Sequence, residues 1–304
     1  MCDFMPNVIA VGSVGLDSIK TPFGEVKGEL GGTAINFALA SSLFSRTGIV
    51  SVAGLDAKNK IDQLAAQRNI DTKGLQIVMG KTLQWHCYYE YDMNEAHTTK
   101  TELNCFANFS PMIPEEYKGS RFVFIGSLDP KLQTQVPRQF RNPEFVVLDT
   151  KDFWIEKDRK NLVEAIQQSD LLLLNEWEAR QLFATPNLQK AAKEALRLGP
   201  EYVIIKKGEH GSLLFTKDSY FVAPGYPLET LIDPTGAGDS YAGALMGWLA
   251  NQGNVTEPKL RKAMIYAAVV ASFTVEDFGL RKLARTTPED IEKRYQEIKK
   301  ITCF

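Results

Sequence analysis

Short apolar runs separated by stretches of helical periodicity fill most of the chain. NVIAVGSVG (7–15) reads as a buried strand ending in a glycine turn, and the residues after Gly32 to about Phe44 read as helix. GIVSVAG (48–54) predicts a second strand, IDQLAAQRN a helix after it, and LQIVM a further strand. The pattern resumes with RFVFIG (121–126), EFVVLD (144–149), DLLLLN (170–175) and EYVIIK (201–206). Runs this uniformly apolar suit strands covered on both faces, and helices between them imply a parallel sheet. GSLLF and SYFVA predict a late antiparallel hairpin at the sheet edge. Three helices close the chain, at about 237–251, 258–275 and 288–301; Thr287 with Pro288 in the first turn starts the last one.

Between these blocks the texture changes. LQWHCYYEYD (83–92) and AHTTKTELNCF (96–106) mix aromatic, β-branched and polar residues, with Met93–Glu95 as a turn, and predict antiparallel strands outside the main sheet. Residues 18–30 are short and turn-rich and supply further strands to the same layer. The expectation is one domain over 1–304, with a small β-lid built from about 18–30 and 82–108. Trp85, Tyr89 and Phe106 either cover a ligand or pack lid against lid, and a partly apolar β-layer needs such cover, which makes a homodimer through the lid an expectation.

Composition narrows the function. The 304 residues are 44% hydrophobic, enough for one large α/β domain, and the net charge of −2 offers no basic face for nucleic acid. Cys2, Cys87, Cys105 and Cys303 form no CxxC pair and read as reduced thiols; His86, His97 and His210 have no metal-ligand spacing. There is no apolar signal run and no stretch long enough for a membrane span, so a cytoplasmic protein is expected.

The segment Asp233-Pro-Thr-Gly-Ala-Gly-Asp239 carries the chemistry. Gly236, Ala237 and Gly238 leave backbone N–H groups uncovered at the start of a helix, a place that attracts phosphate. A carboxylate inside an anion site is misplaced unless it takes a proton from a hydroxyl that attacks the phosphate, and Asp239 fits that role. An ordinary N-cap is the bland alternative. The seven-residue string and the spaced small residues Ala242, Gly243 and Ala244 resemble the second signature of the ribokinase-like (PfkB) carbohydrate kinases. Gly31, Gly32 and Asn36, opening the first helix, resemble the first signature, so the resemblance spans nearly the whole chain.

This resemblance implies a three-layer α/β/α sandwich with a mostly parallel central sheet and a small β-lid. It implies an ATP-dependent kinase that phosphorylates a hydroxyl of a small acceptor, a sugar first and a nucleoside second. Asp17, Gly31, Gly32 and Asn36 then hold the acceptor, while Asn175, Lys207, Gly208, Gly211, Ala268 and Ser272 border ATP. Glu178 supports Mg²⁺ through water, and Asp233 with Thr235 matches a monovalent-cation site suited to K⁺. Each has a structural alternative: Asp17 as a turn residue, Asn175 and Glu178 as a capping box, the lysines of Lys206-Lys207-Gly208 as solvated hairpin residues, Ala268 and Ser272 as helix packing. Asp149 and Trp154 reach the cleft or serve as strand cap and core. A nucleotide-binding sensor without efficient catalysis is the alternative from another class. An NAD-dependent oxidoreductase is disfavoured, because Gly12-Ser-Val-Gly15 is not GxGxxG.

Overall fold

The computed structural model of the chain describes residues 5–303. The elements, in chain order, are β1 (Val8–Val11), β2 (Gly15–Thr21), β3 (Gly24–Gly31), α1 (Thr33–Ser41), β4 (Thr47–Gly54), α2 (Leu55–Arg68), β5 (Ile70–Val78), β6 (Leu83–Tyr89), β7 (Ala96–Glu102) and β8 (Phe122–Ile125). They continue through α3 (Pro130–Gln135), β9 (Phe145–Asp149), α4 (Asp152–Lys157), α5 (Arg159–Ile166), β10 (Leu171–Asn175), α6 (Glu176–Leu182) and α7 (Leu188–Leu198). The last are β11 (Tyr202–Lys206), β12 (Ser212–Phe215), β13 (Tyr220–Ala223), α8 (Ala237–Gln252), α9 (Glu257–Thr274) and α10 (Pro288–Ile301).

Nine strands form the main sheet in the order β13-β12-β11-β10-β9-β8-β1-β4-β5. All neighbours from β5 to β11 are parallel, and the β12–β13 edge hairpin is antiparallel, as the apolar runs predict. One face packs Ala10, Phe124, Val147 and Leu173 against α1, α8, α9 and α10; the other packs Val11, Ile125, Leu148 and Leu174 against α5, α6 and α7. This is a three-layer α/β/α sandwich. The small residues of α8 have a packing reason: a Cβ at Gly243 would stand 2.2 Å from the Phe37 carbonyl oxygen, so α8 lies backbone-close to α1. That approach sets the two helix N-termini beside each other at the carboxyl edge of the sheet, where open α/β sheets bind ligands.

The second sheet has four strands in the order β3-β2-β6-β7. Two expectations change here. The apolar run 7–15 is not one strand: the chain leaves β1 at Gly12 and enters the small sheet at Gly15, so Asp17 sits inside β2 rather than after the first main strand. β6 and β7 pair antiparallel across the Met93–Glu95 turn, as expected, while β2 and β6 pair in parallel. Residues 104–108 leave the small sheet as a short 3₁₀ turn, and Phe106 stacks on Phe109 at 5.1 Å, over the main core, instead of facing the cleft.

Among the described residues Cys87, Cys105 and Cys303 are unpaired; Cys2 lies outside them. Among the described residues no helix is long and apolar enough to cross a membrane.

Candidate active site

Gly236 has φ 76°, a left-handed conformation that favours glycine, and it starts α8. The Ala237 N–H is given to the Pro234 carbonyl at 3.2 Å. Among the described residues the N–H groups of Gly236, Gly238 and Asp239 have no acceptor, so Asp239 takes the place of Ala237 in the Gly236-Ala237-Gly238 set expected from sequence. They stand at the positive end of a 16-residue helix.

Asp239 is half-buried just inside this terminus. Burial and the charge of Asp149 push its pKa up to about 7, against the pull of Lys206, Lys151 and a Thr33 hydroxyl contact. A carboxylate poised near neutrality is suited to accept a proton.

Beneath the helix terminus lies Lys206. Its ammonium donates to Asp149 Oδ2 at 2.8 Å and stands 3.3 Å from where a Cβ of Gly238 would be. Burial lowers its pKa, but Asp149 and Glu178 outweigh this, and it stays charged. The sequence places Lys206 and Lys207 at the strand edge and gives the phosphate to Lys207. The structure brings Lys206 under the N-terminus of α8 and puts Lys207 on the following turn, with its N–H bonded to Gly211 O at 2.8 Å. Strand alternation carries the missing signal, since Lys206 pairs in register with Asn175 and continues the face of Tyr202 and Ile204.

Asn175 and Glu178 form the capping box: the Glu178 N–H donates to Asn175 Oδ1 at 2.8 Å, and the Asn175 N–H donates to Glu178 Oε2 at 2.7 Å. Glu178 is buried, and burial with the charge of Asp149 raises its pKa. Glu178, Asp149 and Asp239 thus crowd three carboxylates around Lys206.

Asp17 is buried, and its Oδ2 lies 2.2 Å from where a Cβ of Gly31 would be, so a side chain at position 31 would push the carboxylate from its place. Burial, then the charges of Asp233 and Asp239, push the Asp17 pKa up to about 7. Gly32 caps α1 with φ 89°, and the Asn36 amide donates to its carbonyl at 3.1 Å. Asp233 is buried and accepts from the N–H of Thr235 at 2.9 Å and of Gly279 at 3.0 Å; burial raises its pKa. The Thr235 hydroxyl meets the Tyr89 hydroxyl of the lid at 3.0 Å. Sequence motifs gave no hint of that bond, nor of the Thr33 contact.

Gly208 and Gly211 have φ 55° and 81° and shape the turn after β11. Ala268 and Ser272 are buried in α9, and the Ser272 hydroxyl accepts from Arg294 at 2.7 Å. Trp154 stacks edge-on with Phe153 at 4.9 Å in α4. Among the described residues no three His, Cys, Asp or Glu side chains form a metal cluster.

The model of the pfkB family carbohydrate kinase matches residues 7–287. The chain is 27% identical over 249 residues to the cytidine kinase of Thermococcus kodakarensis, covering 80% of this chain and 88% of that one. It is 26% identical over 268 residues to the nucleoside kinase of Methanothermobacter thermautotrophicus, covering 86% and 84%. The fold matches the solved nucleoside kinase of Methanocaldococcus jannaschii with a TM-score of 0.77 at 21% identity, over 96% of this chain and 99% of that one.

Proposed function

This chain belongs to the pfkB family of carbohydrate kinases, ATP-dependent enzymes that phosphorylate a hydroxyl group, and on that premise we propose that its acceptor is a nucleoside. Asp239 at the open N-terminus of α8 carries the reading of the reaction: a base with its pKa near 7 stands among N–H donors that receive phosphate. The acceptor hydroxyl lies between Asp17, Asn36 and Asp239. Asp239 takes its proton as the oxygen bonds to the γ-phosphorus and ADP leaves. The N–H groups of Gly236, Gly238 and Asp239, with Lys206 below them, take the charge of the transferring group. Asn175, Lys207, Gly208, Gly211, Ala268 and Ser272 border the nucleotide in this reading.

Support for a nucleoside comes from the names of the two relatives aligned over most of the chain. Asp17 and Asn36 favour the second reading, a sugar, because they address hydroxyls and not a base. Glu178, Asp149 and Asp239 around Lys206 would face, through water, a Mg²⁺ carried in with ATP, and that ion would supply charge neutralisation for the phosphates. Asp233 and Thr235 fit a hard monovalent cation such as K⁺. The chain is one catalytic domain in this account, cytoplasmic, and paired through the outer lid face, where exposed Tyr88 stacks on His97 at 4.8 Å.

The test is acceptor-dependent ADP formation with Mg²⁺ and ATP across cytidine, uridine, adenosine, inosine, ribose and fructose. Turnover with a nucleoside and none with either free sugar supports the proposal. The reverse assigns the sugar reading, and ATP binding with no turnover on any acceptor points to a sensor.

A further inference from the structure

Lys151 is a cation that the motifs do not include. It lies two residues beyond Asp149, as the N-cap of α4, on the same carboxyl edge as Asp239. Its ammonium rests 5.0 Å from the centre of the Trp85 ring. Trp85 is on β6, in register with Asp17 on β2, and its indole N–H donates to Thr98 Oγ1 at 3.0 Å, which fixes the ring. Lys151 therefore spans from the main sheet to the lid across the mouth of the acceptor cleft.

The two cations of the cleft differ. Lys206 is half-buried and committed to Asp149. Lys151 is exposed and, among the described residues, takes part in no ion pair or side-chain hydrogen bond; its resting contact is an aromatic face, weaker than a bond to a phosphate oxygen. Its charge bears on Asp17, Cys87 and Asp239 together, which places it on the acceptor side of the base. Asp17, Asp233 and Asp239 make that side negative. A phosphoryl group arriving there meets three carboxylates, and Lys151 is the positive side chain free to turn toward it.

We propose that Lys151 is a catalytic cation that leaves the Trp85 face to bind the transferring phosphoryl group from the acceptor side and then holds the phosphorylated product. The proposal rests on the reading of Asp239 as the base of an ATP-dependent kinase. In the step it assists, the bond from the γ-phosphorus to the ADP oxygen breaks and the bond to the acceptor oxygen forms. The acceptor proton goes to Asp239, and ADP leaves with the electron pair of the broken bond.

The experiment compares Lys151→Met, Lys151→Arg and Asp239→Asn in the full chain, with ATP, Mg²⁺ and whichever of cytidine, uridine, adenosine, inosine, ribose and fructose turns over fastest. Lys151→Met should lose about 10²-fold in kcat, with the acceptor KM changed less than about threefold. Inhibition by the phosphorylated product should weaken far more than binding of the acceptor, and Lys151→Arg should recover most of the turnover. A kcat for Lys151→Met within about threefold of wild type, while Asp239→Asn is inactive, overturns the role of Lys151 alone. Equal weakening of acceptor and product also overturns it, by showing that Lys151 only packs on Trp85. Full turnover in Asp239→Asn removes the underlying reading as well.

Discussion

Asn36 and Gly236 are in direct contact: a Cβ at position 236 would stand 2.4 Å from Asn36 Oδ1. The contact joins α1 to the end of α8 that the proposed reaction gives to the phosphate. Gly236→Ala meets both this clash and a left-handed backbone at φ 76°. We expect a destabilisation of about 1–3 kcal/mol and a kcat reduced about 10²-fold as the N–H donors move. Urea unfolding and initial rates check both. Wild-type values for both would show that the junction tolerates a side chain.

Asp239 works as a base only when unprotonated. With its pKa raised to about 7, kcat/KM should hold above neutrality and fall about tenfold per pH unit well below it. The profile is read with saturating ATP and limiting acceptor. Constant kcat/KM from pH 5 to 8 contradicts the assignment.

Asp17 has the same raised pKa, about 7, against 3.8 for the ordinary carboxyl. Between these values the folded protein holds a proton that the unfolded chain has released, so stability from this group is present at low pH and falls as pH rises toward 7. Above 7 the buried charge is a standing cost. Asp17→Asn should therefore resist urea better than wild type at pH 8, lose this advantage near pH 4, and bind acceptor worse. A variant less stable than wild type at pH 8 would mean that the carboxylate is better solvated than its burial indicates.

Tyr89→Phe removes the 3.0 Å contact between the lid and Thr235 without changing the ring. Stability should fall by about 1 kcal/mol, with the acceptor KM raised more than the ATP KM, since the bond ties lid to anion loop over the acceptor. Equal effects on both substrates would locate the loss in the loop itself.

The main sheet was legible because its strands are buried on both faces and read as unbroken apolar runs. The break after Val11 was hidden for the same reason: Val14 is as apolar as the strand before it, and only Gly12 marks the exit into the lid. Phe106 misled because aromatic residues look alike in a lid and over a core. The site was legible wherever backbone requirements select glycine, as at Gly32 and Gly236. It was obscure where long side chains decide the geometry. Lys206 and Lys207 are adjacent in sequence, and only the strand pleat sends one under α8 and the other to the turn. Lys151 and Trp85 lie 66 positions apart and meet only once the lid is folded over the sheet.

The most direct test of this account is Asp239→Asn, measured as ATP affinity and acceptor-dependent ADP formation on the same preparation. The account predicts ATP bound as by wild type and turnover lower by about 10²-fold or more. Turnover close to wild type would contradict it, because a phosphoryl transfer that proceeds without the carboxylate does not use Asp239 as its base.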